Sequence, residues 1–240
     1  MAETSYQIKP HTRVFRLILR AVFRFLFSLL SRPEVLGMEN IPSKGSYLIA
    51  INHVSLYEAP FILAYWPFPP EAAGAVDIWS RPGQSLLARL YGGIPVHRGQ
   101  YDRQLIERML SALKSGRPLV LAPEGGRSHI PGMRRALPGA AYLIDQAAVP
   151  VVPVGICGAT DDFLSQALRG KRPKIGMKVG RAMFFQPIQG RGEERRIERQ
   201  ANADKIMFQI AELLPPEYRG VYASTDLKEY AEENTAQTEK

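Results

Sequence analysis

The chain has 240 residues, 45% of them hydrophobic and 22% charged, and carries a net charge of +8. That length supports one sizeable core, and the balance of apolar and charged residues excludes a disordered chain. The basic excess points to an anionic partner (nucleic acid, a membrane surface or a phosphorylated substrate), and a single cysteine, Cys157, excludes an internal disulfide.

Residues 14–30 are strongly apolar but interrupted by Arg16, Arg20 and Arg24. At about 100° per residue, Arg13, Arg16, Arg20 and Arg24 share an arc of roughly 80° on a helix, leaving Phe15, Leu17, Ile18, Leu19, Val22, Phe23, Phe25, Leu26 and Phe27 on the rest. Three mid-span arginines exclude a spanning helix, and the charges do not precede the apolar stretch as they would in a secretory signal peptide. The pattern predicts an amphipathic helix in the membrane interface, arginines towards lipid phosphates and phenylalanines in the acyl region. Its alternative is an amphipathic helix packed on its own domain. The first 45 residues hold seven Lys/Arg against three Asp/Glu, so the basic excess lies where a membrane would be met. Residues 1–33 are therefore read as a membrane-associating segment, 34–224 as one globular domain and 225–240 as a loose acidic tail.

Ser31-Arg32-Pro33 ends the first helix, and turns over 37–45 lead to a buried strand at 46–51. Helices are predicted over 59–65, 84–91, 101–115, 139–148 and 194–214, the last with Ile197, Ala201, Ile206, Ile210 and Leu213 inward. Strands are predicted over 75–80, 117–122, 149–156 and 174–179, with an extended piece at 92–98. Strands alternating with helices give an α/β class: a single domain whose largely parallel mixed sheet is flanked by helices and preceded by the amphipathic helix.

Three apolar segments end in polar residues, where open α/β sheets bind ligands. They supply His53 and Glu58, then Arg98, then Glu124, Gly125 and Arg127. A histidine oriented by a carboxylate is the minimal kit for general-base catalysis. The pair Gly125-Gly126 lets backbone approach a ligand, and with Arg98 and Arg127 it could hold a phosphate. Each piece also has an ordinary structural reading, Arg98 as a solvated charge and Glu124 with Arg127 as a local ion pair.

In order and spacing these segments resemble the lysophosphatidic acid acyltransferase (1-acylglycerol-3-phosphate acyltransferase) family of glycerolipid acyltransferases. That family carries Asn-His-x4-Asp, Gly-x-Ile-x-x-x-Arg and Pro-Glu-Gly-Thr-Arg-Ser motifs and a Val-Pro-Val strand. Here they read Asn52-His53-Val-Ser-Leu-Tyr-Glu58, Gly92-Gly-Ile94-Pro-Val-His-Arg98, Pro123-Glu-Gly-Gly126-Arg-Ser128 and Val149-Pro-Val-Val-Pro153-Val. Two positions depart: Gly126 stands for the usual Thr and Glu58 for the usual Asp, one methylene longer.

The resemblance implies an acyltransferase using acyl-CoA or acyl-carrier protein as co-substrate, with no other cofactor and no metal. The acceptor is a lysophospholipid, most simply 1-acylglycerol-3-phosphate. It assigns catalysis to His53 and Glu58, and acceptor binding to Arg98, Glu124, Gly125, Gly126 and Arg127. The expected location is the cytoplasmic face of the cell membrane, peripheral or monotopic, with the phospholipid surface as partner. Nucleic acid is set aside, because the arginines sit in the motifs or the first helix. Alternatives are an amino- or glycolipid acceptor, a weakly active lipid-binding relative, and a hydrolytic metal site on His53, Glu58, His97 and His129.

Overall fold

The computed structural model describes residues 6–99 and 102–223. Its strands are β1 (Arg32–Leu36), β2 (Leu48–Ile51), β3 (Glu71–Ala75), β4 (Ile94–Val96), β5 (Leu119–Leu121), β6 (Val151–Cys157) and β7 (Lys174–Val179). They form one sheet in the order β1-β7-β6-β2-β5-β3-β4. Every pairing is parallel except β6 with β7. The expected α/β domain with a largely parallel sheet is the one observed.

Alternation along the central strands divides the core between the two faces of the sheet. Leu48, Ala50, Leu119 and Val151 meet α4 (Arg103–Lys114), α5 (Gly139–Ala147) and α7 (Gly192–Leu213). Ile49, Ile51, Val120, Val152 and Val154 face α1 (Pro10–Leu30), α2 (Glu58–Tyr65) and α6 (Phe163–Leu168). A two-residue period with both faces covered is why these strands are apolar throughout. α3 (Gln84–Tyr91) packs beside α1 and a 3-10 turn, Val76–Ser80.

Several expectations are corrected. The strand expected over 75–80 lies at Glu71–Ala75, and Val76–Ser80 is that 3-10 turn. Glu-Ala-Ala-Gly-Ala has little β-propensity, and pairing with β4 and β5 decides its state. The edge strand β1 straddles the expected boundary at 33/34 and joins its residues to the main sheet. On α7, Ile197 is 62% exposed and Ala201 also faces out, while Ala203, Met207 and Ala211 are buried instead. The acidic tail at 225–240 lies outside the described residues.

The largest correction concerns α1. Arg16, expected to face lipid phosphates, is buried: its guanidinium grips the Glu71 carboxylate through two 2.7 Å contacts, and its Nε donates to Tyr91 O at 2.8 Å. Arg20 donates to Pro67 O at 2.7 Å, and the Arg24 guanidinium lies over the Tyr65 ring. Phe27, expected in the acyl region, is packed edge-on against Phe61. Arg16 and Arg20 of the polar stripe thus reach into the domain while Arg13 and Arg24 stay exposed, and Val14, Leu17, Ile18, Val22, Phe25, Leu26 and Leu29 point outward. Among the described residues no helix is long and apolar enough to cross a membrane.

Candidate active site

His53 leaves the carboxyl end of β2, the central strand of the sheet. Its neighbour Asn52 is buried and binds Ile156 twice, Oδ1 accepting from the Ile156 N–H at 2.7 Å and Nδ2 donating to its carbonyl at 2.8 Å. That clamp ties the end of β2 to β6 and fixes where the chain turns out of the sheet. The His53 backbone is held on both sides: its N–H donates to Glu124 Oε1 at 2.8 Å, and its carbonyl accepts from the Ser128 N–H at 2.9 Å.

Glu58, the first residue of α2, is fully buried, and its carboxylate folds back over the turn. Oε1 accepts from the N–H groups of Val54 (3.1 Å) and Ser55 (2.8 Å). Oε2 lies 3.2 Å from His53 Nδ1. A carboxylate already accepting two amide protons acts as an acceptor towards the ring too, which places the imidazole proton on Nδ1 and the lone pair on Nε2. Its place at the start of α2 also suits a negative charge.

His53 opens onto a cavity of about 600 Å³, whose lining is mostly apolar and includes Val96, Leu105, Ile106, Met109, Leu121 and Leu143. Arg98, Gly125, Gly126 and Arg127 also line it, so the residues expected from three separate segments converge on one space. Arg98 is exposed and has no hydrogen-bond or ion-pair partner among the described residues. Arg127 is 18% exposed, with Nη1 4.0 Å from Asp161 Oδ1. Gly125 has φ +67°, and a Cβ there would run into the Leu137 side chain, so this turn needs glycine. Gly126 has no such need: a Cβ would sit 3.5 Å from Arg98 Nη1, an ordinary contact.

Glu124, expected to bind the acceptor, is 1% exposed and has both oxygens committed to backbone. Besides the His53 N–H, it accepts the Arg134 N–H through Oε2 at 2.8 Å. His97 and His129 each face their own aspartate, Asp102 at 3.7 Å and Asp161 at 3.2 Å, and do not join His53.

A family model described as Acyltransferase matches residues 32–157, from β1 through the end of β6. The chain belongs to the Acyltransferase family. It is also similar in fold to the crystal structure of the 1-acyl-sn-glycerophosphate (LPA) acyltransferase PlsC from Thermotoga maritima. The TM-score is 0.58 at 22% identity, covering 79% of this chain and 77% of that one. The arrangement at the centre of this acyltransferase gives Asn52 of the first motif a structural part, as the anchor of the turn. It also includes a group outside the motifs: Arg134 lies beyond the Pro123–Ser128 segment in an irregular loop where no periodicity or spacing marks it.

Burial pushes the acyltransferase's Glu124 up to about 7, against the pull of the Arg134 and His53 amides and the Arg134 charge. An unfolded glutamate titrates near 4.3. Between those values the folded protein keeps a proton that the unfolded chain releases, so this group's contribution to stability falls as pH rises towards and through 7. Glu124→Gln stays neutral throughout. Its unfolding free energy, relative to wild type, is expected to improve by on the order of 3 kcal/mol between pH 4 and pH 8, read from urea titrations. A pH-independent difference would mean that Glu124 stays ionised in the fold.

Proposed function

We propose that this acyltransferase moves an acyl chain from acyl-CoA or acyl-carrier protein to the hydroxyl of a lysophospholipid, 1-acylglycerol-3-phosphate, yielding phosphatidic acid. The observation that carries the reading is the Glu58–His53 pair opening on an apolar cavity with Arg98 and Arg127 in its wall. His53 Nε2 takes the acceptor hydroxyl proton as that oxygen attacks the thioester carbonyl carbon. Glu58 holds the ring and stabilises the imidazolium that forms. The tetrahedral oxyanion collapses, the C–S bond breaks, and His53 returns its proton to the leaving thiolate. Ester and thiol are the products. The apolar lining suits an acyl chain, and Arg98 and Arg127 suit the acceptor's phosphate.

The reaction runs at the cytoplasmic face of the cell membrane, with α1 lying on the bilayer by its outward apolar face. Support comes from seven large exposed apolar side chains on α1 and from Leu86, Leu87 and Leu90, exposed on the adjoining α3. A patch of this kind on a soluble surface marks an interaction site. Because Arg16 and Arg20 are spent inside the protein, attachment rests more on apolar burial than on the basic stripe, and depends weakly on salt. Leu17→Ser with Phe25→Ser is expected to lower partition onto phospholipid vesicles by on the order of 10²-fold, at about 1.5 kcal/mol or more per side chain. Sedimentation of vesicles measures it; unchanged partition would remove α1 from the membrane contact.

The acceptor is tested by mass spectrometry of products formed in liposomes from acyl-CoA or acyl-carrier protein and a panel of lysolipids. Phosphatidic acid from 1-acylglycerol-3-phosphate is the expected product. Acylation of an amino- or glycolipid instead would reassign the acceptor.

A further inference from the structure

Arg134 lies outside the four motifs, yet its guanidinium reaches the same place as that of Arg98. A Cβ built on Gly126 would have Arg98 Nη1 at 3.5 Å and Arg134 Nη1 and Nη2 at 3.6 and 3.7 Å. Two cations thus flank the open space over Gly126, a residue of the cavity lining that has no side chain, Arg98 from the lining itself and Arg134 from the exposed loop beside it. Like charges brought so close raise each other's energy unless an anion sits between them. Glu124, whose carboxylate feels the Arg134 charge, has both oxygens on backbone N–H groups.

The Arg134 backbone is also unusually constrained for an exposed arginine. Its N–H is held by Glu124, and Leu137 N–H donates to Pro123 O at 2.8 Å. Met133 exchanges backbone hydrogen bonds with Tyr218 and Val221, and Ala136 N–H donates to the Tyr222 hydroxyl at 2.9 Å. Gly220 permits that docking, because any Cβ there would collide with the Met133 backbone. The side chain is steered in turn, Nη1 donating to Arg127 O at 3.2 Å. Holding a cation in place before its ligand arrives lowers the entropy cost of binding. The same Glu124 carboxylate holds the backbone N–H groups of both Arg134 and His53, which ties the segment that carries this cation to the segment that carries the proposed base.

We infer that Arg134, paired with Arg98 across Gly126, is a further ligand for the phosphomonoester of the acyl acceptor, held in register with His53 by Glu124. The inference rests on the acyl-transfer reading, and it assigns the anion to the acceptor rather than to the phosphates of a CoA donor.

Two arms test it. In the kinetic arm, Arg134→Ala is expected to raise KM for 1-acylglycerol-3-phosphate at least tenfold, with kcat and the KM for acyl-CoA nearly unchanged. Arg134→Lys should recover part of the loss, and Arg135→Ala, its exposed neighbour, should behave as wild type. A rise in the donor's KM instead, no change at all, or an equal loss in Arg135→Ala would overturn the assignment. The second arm needs no turnover: glycerol 3-phosphate is titrated into the whole protein by calorimetry, with glycerol as blank. Wild type should bind, and Arg134→Ala should bind at least tenfold more weakly with an unchanged melting temperature. Binding lost in Arg134→Ala by a protein that transfers no acyl group supports the site while the acyl-transfer reading fails. Equal binding by both proteins, or none by wild type, overturns the site whatever the activity.

Discussion

His53→Ala is expected to lower acyl transfer by on the order of 10²–10⁴-fold, the range that a positioned general base supplies, while the acceptor still binds. The variant should fold, because the turn is held by backbone bonds to Glu124 and Ser128 that alanine keeps. Mass-spectrometric product counts in liposomes measure the rate, and near-wild-type turnover would end the general-base assignment. Glu58 sharpens the prediction. In this chain its carboxylate spans from the first residue of α2 back to Val54 and Ser55 and still reaches His53 at 3.2 Å. Aspartate at the same Cα is one methylene shorter and must give up either the amides or the imidazole. Glu58→Asp, although it restores the residue usual in the family, is therefore expected to be slower by on the order of tenfold or more. An Asp variant faster than wild type would show that the longer side chain is a handicap here.

The parts of this site readable from sequence were those whose chemistry is local in the chain. His53 and Glu58 are five residues apart, and Gly125 with φ +67° declares itself as a turn glycine. The expectation gave Glu124 to the acceptor, whereas in the structure it is buried with both oxygens on backbone N–H groups. Its partners, the N–H groups of His53 and Arg134, lie 71 and 10 residues away, and backbone donors leave no mark on composition. Arg134 was invisible for the same reason: its relation to Arg98 exists only once β4 and β5 place two loops at one end of the sheet.

Fold legibility followed burial. β2 and β6, apolar on both faces, were placed within two residues of their observed ends. β1 carries Pro33 and pairs on one side only, as an edge strand can, and reads as the end of a helix rather than as a strand. α1 was correctly seen as amphipathic, but Arg16 and Arg20 were given to lipid phosphates when they bond to the domain. A helical wheel gives the angle between polar and apolar faces, not which of them meets the protein. Here Glu71 and the carbonyls of Tyr91 and Pro67 supply the domain with enough acceptors to take the arginines inward.

Removing Glu71 is the change expected to damage the fold most. This carboxylate is fully buried and receives Arg16 through both oxygens, Arg117 Nε at 2.7 Å and the Tyr6 hydroxyl at 2.7 Å. Burial would raise its pKa, but the hydrogen bonds and charge of Arg16, with Tyr6 and Arg117, prevail and hold it below the usual carboxylate range. Its contribution is therefore present above the unfolded value near 4.3 and is lost as pH falls through the lower folded value. Glu71→Ala leaves the Arg16 guanidinium buried without its counter-ion, at a cost of about 3–5 kcal/mol. Arg16→Ala should cost less, because Glu71 keeps Arg117 and Tyr6. Urea unfolding gives the ranking, and equal costs for the two variants would mean that Arg16 alone carries the clamp. The functional consequence follows from position. Glu71 begins β3, and Ala73, Gly74 and Ala75 of that strand line the cavity. The ion cluster therefore joins the outward apolar helix to the cavity wall, so loosening it should reduce vesicle-dependent turnover before His53 or its carboxylate is disturbed.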